Sequence, residues 1–199
     1  MKLKFKIQQY QTDAVESVIN VFKGQPNQAN LEYRMDKGKL YVVDSRKHDI
    51  KIVQTDVFAD SDDAGNNLGY KNNRLAIDKV ALFDNIRQIQ TDNNIHQDEE
   101  LCQKLGACQL DVEMETGTGK TYVYIKTMFE LNKQYGWTKF IVVVPSIAIR
   151  EGVKKSFDIT VDHFMEQYGK KARYFIYDSS SLNDIDTFSQ SNDISVMII

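Results

Sequence analysis

The chain has 199 residues, 42% of them hydrophobic, with a formal net charge of −3 and a sequence pI near 5.7. That is enough apolar material for one good-sized core and a small second lobe, while two prolines and ten glycines exclude a collagen-like or linker-dominated chain. The acidic balance argues against a strongly basic nucleic-acid surface and leaves room only for a local basic strip.

At the start, Leu3, Phe5 and Ile7 alternate with Lys2, Lys4 and Lys6, which predicts a half-buried strand. The segment lacks the continuous apolar stretch of a signal peptide, and no run approaches bilayer length; a cytoplasmic, reducing location is the expectation. Tyr10, Ala14, Val15, Val18, Ile19 and Phe22 then recur at helical spacing, and Gly24 with Pro26 stops that helix. From 25 to 108 the signals weaken. Lys39 to Val43 and Ile50 to Val53 read as short strands of a hairpin, and 56–70 as an Asp-, Asn- and Gly-rich loop. Ile77, Val80, Ala81, Ile86 and Ile89 form the apolar side of a second helix. Cys102 and Cys108 are too few for a disulfide framework, and with the scattered His48, His96 and His163 they make no zinc-ligand spacing.

The pattern changes at Gln109. Gln109 to Met114 reads as a short strand, and 119–134 as a helix with Ile125, Met128 and Phe129 on one face, closed by Gly136. Lys139 to Val144 is a β-branched run without alternation, stopped by Pro145, which suits a parallel strand buried on both faces. Helical spacing covers 147–168 with an interruption near Asp158 to Thr160, and Arg173 to Tyr177 and Ile194 to Ile199 are two more strands. Strands alternating with helices predict an α/β fold around a mostly parallel sheet. The chain stops inside the apolar run at Ile199, so a truncated domain is expected.

Between the strand at 109–114 and its helix lies Glu115-Thr116-Gly117-Thr118-Gly119-Lys120-Thr121. Gly117 and Gly119 allow backbone conformations closed to other residues, so successive N–H groups can converge on phosphate oxygens. The helix that follows adds its unpaired N-terminal donors and dipole. Lys120 would bring its charge to the β- and γ-phosphates, and the Thr121 hydroxyl would ligate a bridging Mg²⁺. Met114 stands where the strict phosphate-loop pattern has its first glycine. The plainer reading is an ordinary glycine turn ahead of a helix; the flanking strand and helix favour the phosphate loop. ATP and Mg²⁺ are therefore the expected cofactors, with Thr116 to Thr121 as their contacts and Lys120 as the catalytic cation. Hydrolysis also needs an acid at the end of another strand. Asp178, after Tyr174-Phe175-Ile176-Tyr177, is the one candidate, and a turn or cap before Ser179-Ser180-Ser181 is its better reading.

With Tyr10-Gln11 upstream and Val144-Pro145-Ser146-Ile147-Ala148-Ile149-Arg150-Glu151-Gly152 downstream, the loop resembles motif I of superfamily 2 helicases. Met114 ahead of the loop and the Pro145-Ser146 segment make the sequence most similar to the Res subunit of type III restriction enzymes. The resemblance covers both ends of the chain and most of 109–199, and 25–108 only loosely. It implies a RecA-like lobe of a larger ATP-dependent motor joined to a nuclease. That motor would work on double-stranded DNA with a Mod subunit that recognises and methylates it. On this reading Gln11 bonds the adenine edge, whose donor and acceptor pattern an amide matches, and Pro145, Ser146 and Arg150 lie along the DNA backbone. The plainer readings are a solvated helix position for Gln11 and a helix N-cap for Ser146.

The implied organisation is a strand and helix carrying Gln11 (1–24), an insert or accessory subdomain (25–108) and the first, incomplete RecA-like lobe (109–199). Two alternatives stand beside it: the motor lobe of another superfamily 2 DNA or RNA helicase, and a non-catalytic nucleotide-binding assembly module. The acidic hydrolytic residues and the nuclease carboxylates are not found in these 199 residues, so this chain is expected to hold nucleotide without turning it over.

Overall fold

The computed structural model describes residues 5–34, 40–44, 49–53, 68–104, 106–180 and 182–199, with backbone alone for 40–44, 49–53 and 182. The first apolar spacing folds as helix α1 (Gln9–Val21), burying Gln11, Val15, Ile19 and Val21. The predicted strand ahead of it is not formed where it is described: 5–8 is irregular, and Ile7 is 64% exposed. Phe5 instead lies on the rings of Tyr122 and His163, and Leu3 falls outside the described residues.

The hairpin expected in the weak region is present as β2 (Leu40–Asp44) and β3 (Asp49–Val53), paired antiparallel. It is flanked by an unforeseen pair, β1 (Leu31–Arg34) and β4 (Leu68–Lys71). Their register sets Gly69 opposite Tyr33, and a Cβ on Gly69 would lie 2.5 Å from the Tyr33 ring; glycine makes room for the aromatic. Of the predicted loop over 56–70, residues 56–67 are outside the described set and 68–70 belong to β4. Helix α2 (Lys79–Asp92) follows. Its N-cap Asp78 accepts from the N–H groups of Val80 and Ala81 at 2.8 and 2.9 Å.

The main sheet has three parallel strands, β5 (Lys139–Val142), β6 (Arg173–Ile176) and β7 (Ser195–Ile198), in the order β5-β7-β6. Helices α3 (Lys120–Tyr135) and α4 (Ile147–Tyr168) cover one face. There Ile125, Met128, Phe129, Val153, Phe157 and Phe164 meet Val196 and Ile198, with Phe140, Val142, Tyr174 and Ile176 packed alongside. Helix α5 (Leu182–Gln190) lies over the other face, with Phe188 edge-on to Phe175 at 6.0 Å. The Lys139 ammonium donates to the Phe188 and Ser191 carbonyls where α5 ends.

Three expectations are corrected here. Gln109 to Met114 is not a strand, because no described strand offers it a hydrogen-bonding partner. The run from Lys139 is not buried on both faces: Ile141 is 56% and Val143 75% exposed. Among the described residues the strand pairs with β7 alone, and α5 meets it at Lys139. Helix α4 is continuous through Asp158 to Thr160; the Thr160 hydroxyl donates to the Ser156 carbonyl at 2.8 Å, satisfying the polar group inside the helix rather than breaking it.

A second core sits on the opposite side of α3. Val123 and Tyr135 of that helix pack with Val15, Ile19 and Phe22 of α1 and Leu82 and Ile86 of α2. Polar bonds tie α1 to α3 and the end of β4 to the start of β5. The Tyr135 hydroxyl donates to the Ile19 carbonyl at 2.9 Å, and the Asn72 amide oxygen accepts from the N–H groups of Thr138 and Lys139.

Candidate functional site

The glycine loop heads α3. Gly117 and Gly119 have φ of +84° and +89°, a left-handed backbone that side chains with a Cβ disfavour. Gly119 is also the N-cap of the 16-residue α3 and supplies no side-chain bond to it. The first N–H groups of that helix are therefore left to an outside acceptor, the standard condition for anion binding at a helix start.

Inside the loop the Glu115 carbonyl is the hub. It accepts from the Thr118 hydroxyl at 2.7 Å and from the Lys120 ammonium at 2.9 Å. Lys120 thus folds back over the turn with its charge held by a neutral carbonyl, a partner that an anionic phosphate would outcompete. Thr116, Gly117 and Lys120 face solvent, and Thr121 lies half-buried in the first turn of α3.

The structure brings Gln11 to this loop across 107 residues of sequence: its Nε2 donates to the Thr118 carbonyl at 2.8 Å. Gln11 is therefore not a solvated helix position. Its exposure is 9%, and a Cβ on Gly119 would come within 2.6 Å of that nitrogen. Tyr10, which the sequence assigns to the apolar stripe of α1, is 48% exposed and donates its hydroxyl to the same carbonyl at 3.2 Å. The spacing conceals this role, because Tyr10 also fits the helical repeat. Nearby, the Tyr122 hydroxyl and His163 Nε2 are 2.9 Å apart, and burial holds His163 below the usual imidazole range.

Pro145, Ser146 and Arg150 stand at the start of α4, after the C-terminal end of β5. Because α3 runs back to β5 through a short connection, the start of α3 and the end of β5 share one rim of the sheet, where ligands of open α/β sheets gather. Ser146 is the N-cap of α4, its Oγ accepting from the Ile149 N–H at 3.4 Å; the cap reading holds and leaves its exposed hydroxyl able to donate. Arg150 is half-buried, and its guanidinium lies 4.0 Å from Glu151. Asp178 accepts from the Ser180 N–H at 2.9 Å. That bond first, and Arg150 to a lesser degree, hold its carboxyl below the usual range; it is a turn residue.

Helices on both faces of a parallel sheet, with a left-handed glycine loop heading the helix on its rim, define an α/β lobe of the helicase type. The chain matches the family described as "Type III restriction enzyme, res subunit" over residues 4–199 and belongs to it. It is similar to the EcoP15I Res subunit of Escherichia coli, with 38% identity over 111 residues. Against the EcoPI Res subunit of Escherichia phage P1 the identity is 36% over 112 residues, and against the StyLTI Res subunit of Salmonella typhimurium 40% over 92. These stretches cover 54, 54 and 45% of this chain but only 11, 11 and 9% of the relatives. Among the described residues no helix is long and apolar enough to cross a membrane.

Proposed function

We propose that this chain is the ATP-binding portion of a Res subunit in a type III restriction-modification enzyme, an ATP-dependent DNA motor coupled to endonuclease cleavage. The observation that carries the reading is the loop itself: two left-handed glycines and Lys120 gathered at the uncapped start of α3. The residues present fit Mg²⁺-ATP. The loop N–H groups and the start of α3 would hold the β- and γ-phosphates, with Lys120 supplying positive charge. Thr121 would contribute its hydroxyl to the metal, and Gln11 would meet the amino group of adenine through its Oε1. The bound Mg²⁺ would offset charge on the transferring phosphoryl group.

Pro145, Ser146 and Arg150 would meet the backbone of double-stranded DNA on the same rim, and a Mod subunit would supply sequence recognition. The working place is the cytoplasm. Within the chain, 1–24 carries the adenine contact, 25–108 is an accessory insert, and 109–199 belongs to the first RecA-like lobe. The insert shares the second core with α1 and α3, so it braces the base-binding helix against the phosphate-binding one.

With Asp178 committed to a turn, this chain is expected to bind nucleotide without sustained hydrolysis. A phosphate-release assay on the 199-residue chain with Mg-ATP and duplex DNA checks this. Background turnover is expected; steady turnover that vanishes in Lys120→Ala would mean that the hydrolytic residues are already here.

A further inference from the structure

The bond from Gln11 to the phosphate loop has a neighbour that the adenine reading does not need. The Thr118 carbonyl takes two donors from the first turn of α1, Gln11 Nε2 at 2.8 Å and the Tyr10 hydroxyl at 3.2 Å. A carbonyl oxygen has two lone pairs, so both directions of this acceptor are spoken for. The peptide that follows it is trans, as no cis bond occurs among the described residues. In a trans planar peptide the C=O and the next N–H point opposite ways. Fixing the Thr118 oxygen toward α1 therefore aims the Gly119 N–H away from α1. Gly119, at φ +89°, is the N-cap residue of α3, where an N–H directed outward joins the anion-binding set.

We infer that Tyr10 is a positioning residue for phosphate binding: with Gln11 it locks the Thr118–Gly119 peptide in the orientation that presents the Gly119 N–H to a polyphosphate. This rests on the ATP-site reading and adds a role to α1, which then shapes the phosphate half of the site as well as contacting the base. The ring itself is half exposed and outside both cores. Removing only its hydroxyl leaves the fold intact, and the freed carbonyl keeps one donor in Gln11.

The test compares a ligand with a base and one without. Binding of a fluorescent ADP and its competition by magnesium tripolyphosphate are measured on the 199-residue chain, on Tyr10→Phe and on Lys120→Ala, with thermal melts of each. Loss of one neutral hydrogen bond that orients the loop should weaken ADP and tripolyphosphate by the same factor, about threefold to tenfold, with a cooperative melt retained and the melting temperature lowered by no more than a few degrees. Weakening of ADP alone would make Tyr10 a base contact, and unchanged affinity for both would make its bond incidental; either result overturns the proposal. The underlying reading fails separately, if Lys120→Ala binds ADP as tightly as the natural sequence.

Discussion

Gly119 carries two demands at once, a left-handed backbone and room for Gln11. Gly119→Ala would strain the turn by about 1–2 kcal/mol and push a methyl against the Gln11 amide, 2.6 Å away. Urea melts should show a loss of that order, and ADP titration a larger proportional loss of binding, since the strain falls on the phosphate contacts. The residues of this loop were legible in sequence because its chemistry is local: glycines, lysine and threonine at fixed offsets ahead of a helix. Tyr10 was not, for the opposite reason. Its partner is 108 residues away, and nothing in a helical repeat separates an aromatic that packs from one that donates.

At the scale of elements, the helices were readable and the strands less so. Asp78 illustrates the first. Its carboxylate satisfies two N–H groups at the start of α2, so Asp78→Ala should cost about 1 kcal/mol in a denaturant melt. Gln109 to Met114 illustrates the second. Its residues suit a strand, but a strand exists only with a partner, and partnership is not written in the segment. The pair β1 and β4 was missed likewise, since Gly69 looks like a breaker until Tyr33 is set across from it. The junction of β5 and α5 carries a pH dependence. Burial pushes the Lys139 ammonium down to about 8 from an ordinary 10.5, against the pull of Asp193. Between those values the unfolded chain keeps a proton that the folded chain has released, so this group makes stability rise with pH across that window. Urea melts at pH 7.5 and 10 should show the rise in the natural sequence and its absence in Lys139→Met.

Across the whole molecule, α3 is the shared wall. Ile125, Met128 and Phe129 face the sheet core while Val123 and Tyr135 face the α1–α2 core, so neither core survives loss of the helix. Phe164, 1% exposed and stacked on Phe129 at 4.8 Å, should cost about 3–5 kcal/mol when cut to alanine. The single tryptophan, Trp137, sits by the other core against Phe22 and Tyr135. Its fluorescence and far-ultraviolet circular dichroism should nevertheless report one coincident, destabilised transition in Phe164→Ala; separated transitions would mean two independent units. That shared helix begins at the glycine loop, where the central claim is decided. Calorimetric titration of Mg-ADP into the natural chain and into Lys120→Ala tests it most directly. Saturable binding that is lost in the variant, with both proteins equally folded, is the expected result, and equal binding by the two would contradict the account.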